Sequence, residues 1–159
     1  MAATEFHLVT EWLMDASQEE VWTILIEPER WPDWWSTVKR VELLAPGDDN
    51  GLGSVRRLTW STALPYDISF ETTTVKIEPM RLIEGHAKGE LDGIGRWTLV
   101  PEGTRCRVRY DWMVRVTEPW MMRLAFLLRP IFAWNHNKVM EHGRRGMEAY
   151  LIRRRARPQ

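Results

Sequence analysis

Apolar and polar residues alternate along most of the first 116 positions, which predicts a protein built mainly from β-strands. The clearest alternation runs over residues 105–116, where one face is apolar or aromatic and the other carries arginines and Asp111. Turn-forming Pro, Gly, Asp and Asn residues separate the alternating segments. We therefore place strands over residues 4–14, 37–45, 53–61, 66–78, 81–90, 92–100 and 105–116.

Helical patterns lie at two places, directly after the first strand and at the end of the chain. A capping box at Ser17 and Glu20 predicts a helix of about ten residues, and a second short helix is expected around 31–35. A long helix is expected over 117–153, with a kink at Pro130. Seven antiparallel strands and one long amphipathic helix predict an α+β fold in which the sheet curls round the helix and leaves room for a ligand.

Length, charge and cysteine content limit the classes of function. The 159 residues fit one ligand-binding domain over residues 1–159. The formal net charge is zero, so we expect no nucleic-acid partner. Cys106 is the only cysteine, and the start of the chain lacks the basic and apolar regions of a signal peptide, so we expect a cytoplasmic protein. The apolar stretch 120–134 contains charged residues and is too short to span a bilayer.

The most unusual feature of the composition is its ten tryptophans, against three tyrosines and four phenylalanines. An indole ring is bulky and its N–H group needs a hydrogen-bond partner, so tryptophan is a poor general core residue. The surplus indicates either a tryptophan-rich core or the lining of a large cavity.

Several segments together are typical of one superfamily. They are Asp-Ala-Ser-Gln-Glu-Glu-Val-Trp at 15–22, Trp-Pro-Asp-Trp-Trp at 31–35, the segments 89–97 and 104–112, and Trp-Asn-His-Asn-Lys-Val-Met at 134–140 with Gly143. In these segments, and over almost its whole length, the chain resembles the START-like helix-grip (SRPBCC) superfamily, polyketide cyclase/dehydrase-type subgroup. The resemblance implies a seven-stranded curved antiparallel sheet around a long C-terminal helix, two short helices after the first strand, and an internal cavity. It does not identify the ligand, because the superfamily includes lipid carriers, polyketide aromatases and cyclases, and hormone receptors.

The candidate ligand-binding residues belong to the last strands and the long helix. They are Trp97, Tyr110, Trp112, Leu124, Leu128, Phe132, Asn135, Val139 and His142. Asn135 and His142 are seven residues apart and therefore share a helix face, which we expect to look at the sheet. In an enzyme, His142 would be the catalytic acid or base; otherwise both residues form hydrogen bonds where helix and sheet meet. Trp31, Trp34 and Trp35 are expected at the cavity mouth.

Signatures of other chemistry are weak or missing. Glu71, Glu84 and His86 would offer an acid–base pair if they pointed inward, although alternating charges on strands usually face water. The sequence contains no phosphate-binding loop, dinucleotide fingerprint, nucleophile elbow or paired Cys/His spacing. We therefore expect no metal and no cofactor.

Three functions remain open. The first is a carrier or sensor that holds a lipid, polyketide or aromatic metabolite in the cavity, and the second is a polyketide cyclase/dehydrase of the aromatase type that uses the same cavity. The third and least favoured is a peripheral membrane or partner-binding module, based on the apolar stretch 120–128. The expected partner is a hydrophobic small molecule, and the oligomeric state is left open, with a dimer among the options.

Overall fold

Seven strands and three helices make up the part of the chain that the computed structural model describes, residues 4–158. The strands are β1 (Glu5–Met14), β2 (Val38–Ala45), β3 (Val55–Ser61), β4 (Asp67–Glu78), β5 (Leu82–Gly89), β6 (Leu91–Glu102) and β7 (Arg105–Val116). Helix α1 (Gln18–Leu25) and a 3₁₀ helix (Pro28–Asp33) connect β1 to β2, and helix α2 (Pro119–Ala156) follows β7. The observed strand limits differ from the predicted ones by at most two residues.

The strands form one antiparallel sheet in the order β1-β7-β6-β5-β4-β3-β2. Strands β2 to β7 are joined consecutively by hairpins, whereas β1 pairs with β7 from Glu5 opposite Arg115 to Met14 opposite Cys106. Register shifts interrupt the β2–β3 and β4–β5 ladders. Such irregularities bend strands, and here they help the sheet to curve around α2. The predicted helix-grip fold is confirmed.

The capping box predicted for α1 is present. The Ser17 amide donates to the Glu20 carboxylate at 2.9 Å, and the Glu20 amide donates to Ser17 Oγ at 3.1 Å. Arg155, near the end of α2, also binds Glu20 at 3.0 Å, and this hydrogen bond lowers the pKa of the Glu20 carboxyl group. Helix α1 is therefore attached to the end of the long helix as well as to the core.

The main core lies between the sheet, α1, the segment 31–35 and the second half of α2, and it includes the tryptophans of that segment. Trp35 is 1% exposed, stacks on Trp34 at 5.3 Å between ring centroids, and donates from Nε1 to the Val139 carbonyl at 2.9 Å. Gly143 lies directly on the Trp35 ring, where a β-carbon would come within 2.5 Å of it. The absence of a side chain at this position lets the helix approach closely enough to cover the indole.

The first half of α2 packs against a smaller second core. This core contains Phe6, Val114, Val116, Met121 and Ala125, all of them buried. The helix continues through Pro130, which lacks an N–H group for the Phe126 carbonyl. Within residues 4–158, no helix is both long enough and apolar enough to span a bilayer.

Candidate ligand-binding cavities

The inner, concave side of the sheet borders two cavities. The larger has a volume of about 520 Å³ and lies among α1, the 3₁₀ helix, the β2–β3 loop and the inner faces of β3 to β7. The smaller, of about 130 Å³, lies between the sheet and the segment of α2 from Met121 to Met140. Ligand pockets usually measure about 300–1,000 Å³, so the larger cavity alone is in the range for a small organic molecule.

Six aromatic residues line both cavities and therefore lie between them. We call this set the aromatic partition; its members are Trp31, Trp60, Phe70, Trp97, Tyr110 and Trp112. Their rings touch in sequence: Trp97 and Tyr110 are 4.3 Å apart between centroids, and Tyr110 and Trp112 are 5.9 Å apart and nearly parallel. Such offset contacts favour both ring–ring packing and the insertion of another flat ring.

Two of these rings have buried N–H groups without partners. The Nε1 atoms of Trp31 and Trp60 make no hydrogen bond to any residue among 4–158. The Trp60 ring packs perpendicular to that of Trp35, with 5.0 Å between ring centroids. A buried donor without an acceptor costs about 1–3 kcal/mol, so a ligand oxygen that reached these groups would be stabilised.

Polar groups in the smaller cavity cluster around His136. Its ring lies nearly parallel to that of Tyr110, with 6.3 Å between centroids, and its Nε2 is 3.3 Å from Thr10 Oγ1. Burial lowers the pKa of His136 to about 4, because the surrounding apolar side chains disfavour the imidazolium. Burial raises the pKa of Tyr110 as well. Both groups are therefore neutral at physiological pH.

The hydroxyl group of Tyr110 lies over Gly95 of the neighbouring strand. A β-carbon at position 95 would be 2.6 Å from Tyr110 Oη and 3.0 Å from the Trp112 ring. Glycine thus makes the space in which the phenol lies on the sheet. Among residues 4–158 the Tyr110 hydroxyl has no hydrogen-bond partner, so it remains available to a ligand.

The two cavities differ in charge. The smaller is lined by apolar and neutral polar residues alone, whereas Asp48 and Arg56 line the larger at the end near the β2–β3 loop. Arg56 is held there by Glu29 at 2.7 Å and by Ser54 Oγ at 2.7 Å. The combined space is therefore apolar in the middle and charged at one end. Within the described residues, no three His, Cys, Asp or Glu side chains are grouped as a metal site would require.

A comparison with protein families gives a match over most of the chain. The model of the family described as "Polyketide cyclase / dehydrase and lipid transport" matches residues 5–151. The chain belongs to this family. A comparison with curated proteins gives no match.

The fold of this member of the polyketide cyclase/dehydrase and lipid transport family also occurs among solved structures. The fold is similar to that of the START superfamily protein from Mycobacterium smegmatis, with 18% identity, a TM-score of 0.76, and coverage of 92% of this chain and 97% of that chain. It is also similar to the Zhui aromatase/cyclase from Streptomyces sp. R1128, with 16% identity, a TM-score of 0.73, and coverage of 94% and 95%. A protein from Thermus thermophilus has 17% identity, a TM-score of 0.74, and coverage of 91% and 99%. At these identities the similarity concerns the fold alone.

Most of the predicted ligand-binding residues of this family member do line a cavity. Trp97, Tyr110 and Trp112 belong to the aromatic partition, and Phe132 and Val139 line the smaller cavity. Asn135 also lines it, but its Oδ1 already accepts a hydrogen bond of 2.6 Å from the Ala63 amide, so it connects α2 to the β3–β4 loop. Their contacts with a ligand remain a prediction.

The structure does not bring His142, Leu124 or Leu128 into either cavity. His142 and Leu124 are exposed, and Leu128 is half-buried outside both linings. The buried face of α2 runs through His136, Met140, Gly143 and Met147 instead. Each residue turns the helix by about 100°, so His142 is directed well away from the sheet although Gly143 touches it. The prediction that His142 faces the cavity is therefore wrong, and this geometry gives it no catalytic position.

The three tryptophans expected at the cavity mouth lie deeper. Trp31, Trp34 and Trp35 are all buried; Trp31 lines both cavities, Trp35 lines the smaller one, and Trp34 lines neither. They form an inner wall because α2 lies directly over the segment that carries them, with Gly146 against the Trp34 backbone.

The charged strand residues face outward, as alternation favours. Glu84 binds Arg96 at 2.7 Å, and Glu71 binds Arg57 at 2.8 Å. Gly85, between Glu84 and His86, lines the larger cavity, so both of its neighbours are on the outer face of the sheet. None of Glu71, Glu84 and His86 forms an acid–base pair inside a cavity.

Sequence reasoning did not select His136, Trp60 or Phe70 as site residues. His136 is four positions after Phe132 and four before Met140, both of which line the smaller cavity. This i, i+4 spacing was the available signal. Trp60 was ambiguous because both faces of its strand are about equally apolar.

Proposed function

We propose that the protein binds a neutral or amphipathic small molecule with flat, unsaturated rings, as a carrier or sensor. The observation that carries this proposal is the aromatic partition, whose six rings face both cavities. Burial of an apolar ligand contributes about 25 cal/mol per Å² before the cost of lost motion, and flat rings add stacking contacts. Family membership and the apolar lining support a hydrophobic ligand.

The polar groups restrict the ligand further. The Tyr110 hydroxyl lies over Gly95 at the larger cavity, and the neutral imidazole of His136 lines the smaller one. Each offers a hydrogen bond, which favours carbonyl or hydroxyl groups on the ligand. No charged side chain among the described residues lines the smaller cavity, so a charged ligand group would be costly there. A carboxylate or amine belongs beside Arg56 or Asp48 in the larger cavity.

A cyclase or dehydrase is the second candidate, because His136 and Tyr110 lie side by side in the smaller cavity. A general acid or base works best with a pKa near the working pH. The pKa of His136 is lowered to about 4, and that of Tyr110 is raised, so neither meets this condition. These pKa values favour positioning of a ligand over proton transfer, and they put the binding function first.

The same substitution, isoleucine to tryptophan, can be made at three positions to locate the binding site. Ile83 lines the larger cavity, Ile68 lines the smaller, and Ile152 is 64% exposed on α2. Each would be changed to Trp, and binding of the fluorescent aromatic anion 1-anilinonaphthalene-8-sulfonate would be titrated, with native mass spectrometry for any co-purified molecule. We expect Ile83→Trp to weaken binding by about tenfold or more, because the added ring fills the space.

The surface variant is the matched control. Ile152→Trp should bind like the wild type, and Ile68→Trp shows whether the smaller cavity takes part. Circular dichroism confirms that each variant is folded. Equal affinity in all three variants would place the probe outside the cavities and overturn the proposal. Turnover of a poly-β-ketone chain that is lost in His136→Gln would instead support the cyclase.

A further inference from the structure

The first half of α2 exposes an apolar surface that is separate from its sheet-facing side. Its residues recur every three or four positions along one side of the helix, and each is exposed. We call this set the outer stripe; it consists of Trp120, Leu124, Leu127, Ile131 and Trp134, with Phe126 beside it. At 1.5 Å per residue the outer stripe is about 21 Å long.

The degree of exposure is high for such large apolar side chains. Phe126 is 80% exposed and Leu127 is 67% exposed. Single exposed apolar residues are common on soluble proteins, but a contiguous stripe on one helix marks a contact surface. The side chains of this segment are therefore expected to be covered by a partner.

The charge of the segment indicates what that partner is. Between positions 119 and 140 the sequence contains no Asp or Glu, while Arg123 and Lys138 are exposed there. Lys138 Nζ lies 5.8 Å from the centre of the Trp134 ring, and no described carboxylate forms an ion pair with either cation. Later in the same helix, Arg144 and Arg155 are paired with glutamates. Positive charge without counter-charge complements an anionic surface.

We propose that the outer stripe docks on an anionic lipid membrane, lying in the headgroup region with α2 parallel to the surface. Tryptophans prefer the membrane interface, and Trp120 and Trp134 stand at the two ends of the outer stripe. Arg123 and Lys138 reach acidic headgroups with their long side chains. A second copy of this chain fits less well, because it would bring both copies of these cations together on a segment without carboxylates.

The position of the smaller cavity links this surface to the interior. Met121 and Phe132, on the inner side of the same helical segment, line that cavity. Docking would bring lipid within one helix diameter, about 10–12 Å, of the cavity. The docking proposal itself does not depend on what the cavity binds.

Flotation with two vesicle compositions tests the proposal. The full chain is mixed with vesicles of phosphatidylcholine alone, or of an equimolar mixture of phosphatidylcholine and phosphatidylglycerol. We expect binding to the mixed vesicles that weakens with added salt. The double variant Phe126→Ser, Leu127→Ser should lose affinity by about tenfold or more, because two apolar side chains are withdrawn from the lipid. Leu43→Ser, Leu44→Ser, which removes two exposed leucines of β2, is the matched control and should bind normally.

The charged residues provide a second comparison on the same helix. Arg123→Gln, Lys138→Gln should weaken binding to the mixed vesicles, whereas Arg153→Gln, Arg154→Gln at its end should not. Binding that is lost in the second pair, or no binding to mixed vesicles by the wild type, would overturn the proposal. So would a concentration-dependent dimer in analytical ultracentrifugation that the Phe126→Ser, Leu127→Ser variant abolishes, since a second copy would then cover the outer stripe.

Discussion

The two halves of helix α2 have the same secondary structure but opposite relations to the rest of the molecule. In the second half, Gly143 and Gly146 pack against Trp35 and Trp34, and Arg144, Arg145 and Arg155 are paired with glutamates. The first half contacts a smaller core, covers a cavity, contains Pro130 and leaves the outer stripe exposed. The difference separates two tasks within one element. One half fixes the helix to the domain, and the other half borders the space for a ligand.

The largest expected effect comes from Gly146→Ala in the second half. A β-carbon at this position would overlap the Trp34 carbonyl oxygen, which belongs to the backbone and cannot rotate away. We expect a loss of about 3 kcal/mol in the free energy of unfolding, despite the better helix propensity of alanine. Urea denaturation followed by circular dichroism measures this loss.

Two control variants show what a change in stability of Gly146→Ala means. Leu127→Ala in the exposed first half should change stability by less than about 0.5 kcal/mol, and Ala149→Gly at an exposed site should cost about 1 kcal/mol through propensity alone. If Gly146→Ala were neutral or stabilising, the tight contact of the second half would not exist in solution.

Acidification should lower the free energy of unfolding through His136, which lies where the two halves of α2 meet. The unfolded chain takes up a proton on this imidazole near pH 6.5, but the folded protein does so only near pH 4, because burial lowers the pKa of His136 to about 4. Between these values the unfolded state holds more protons, so the free energy of unfolding falls as the pH is lowered. We expect this histidine to account for a loss on the order of 2 kcal/mol from pH 6.5 to pH 4.

The measurement is urea denaturation at several pH values for wild type and His136→Gln. The variant should lose stability less steeply over this interval. His142→Gln, which removes an exposed histidine of the same helix, is the matched control. Identical pH profiles for wild type and His136→Gln would contradict the burial of the imidazole.

Pro130→Ala should raise the local stability of the first half of α2 and so reduce its difference in stability from the second half. It restores an N–H donor to the Phe126 carbonyl and removes the steric conflict of the ring with the preceding turn. We expect amide protons near position 130 to exchange about fivefold more slowly, equivalent to about 1 kcal/mol of local stability. Amides near Met147 serve as the internal reference and should be unaffected. Faster exchange around position 130 would mean that the first half needs the proline to fit the sheet.

The smallest effect is expected from the surface charges of the second half. Glu141 binds Arg144 at 2.6 Å and Arg145 at 3.0 Å, and these guanidinium groups lower the pKa of the Glu141 carboxyl group to about 2. Because all three side chains are substantially exposed, water screens the pairs, and Glu141→Gln should cost only about 0.5 kcal/mol. Thermal denaturation at low and high salt tests this; a larger loss that persists at high salt would contradict it.

The strands were predictable from sequence because alternation and turn residues are local signals. The strand over residues 105–116 was placed without error, and the capping box at Ser17 and Glu20 was identified from two residues three positions apart. The resemblance to the family, confirmed by the match over residues 5–151, predicted how these elements pack: a curved sheet around the long helix. Fold and cavity followed from these two sources.

The orientation of α2 was harder to predict, for a physical reason. Its first half has apolar residues on nearly all sides, so periodicity cannot distinguish the sheet-facing stripe from the outer stripe. In the second half the contact to Trp35 is made by Gly143, which has no apolar side chain to mark the buried face. The predicted face was therefore rotated, so that it included His142 and missed His136.

The pairing of β1 with β7 has a consequence for the biosynthesis of the protein. Strand β1 is hydrogen-bonded to β7, which ends at Val116, so β1 is synthesised well before the strand that it pairs with. Local hairpins from β2 to β6 can form early, whereas the pairing of β1 with β7 must await the synthesis of β7 and carries the entropic cost of closing a long loop. Until then Phe6, Leu8 and Trp12 have no sheet to cover them. The nascent chain thus depends on prompt synthesis of β7 to protect an apolar strand from aggregation.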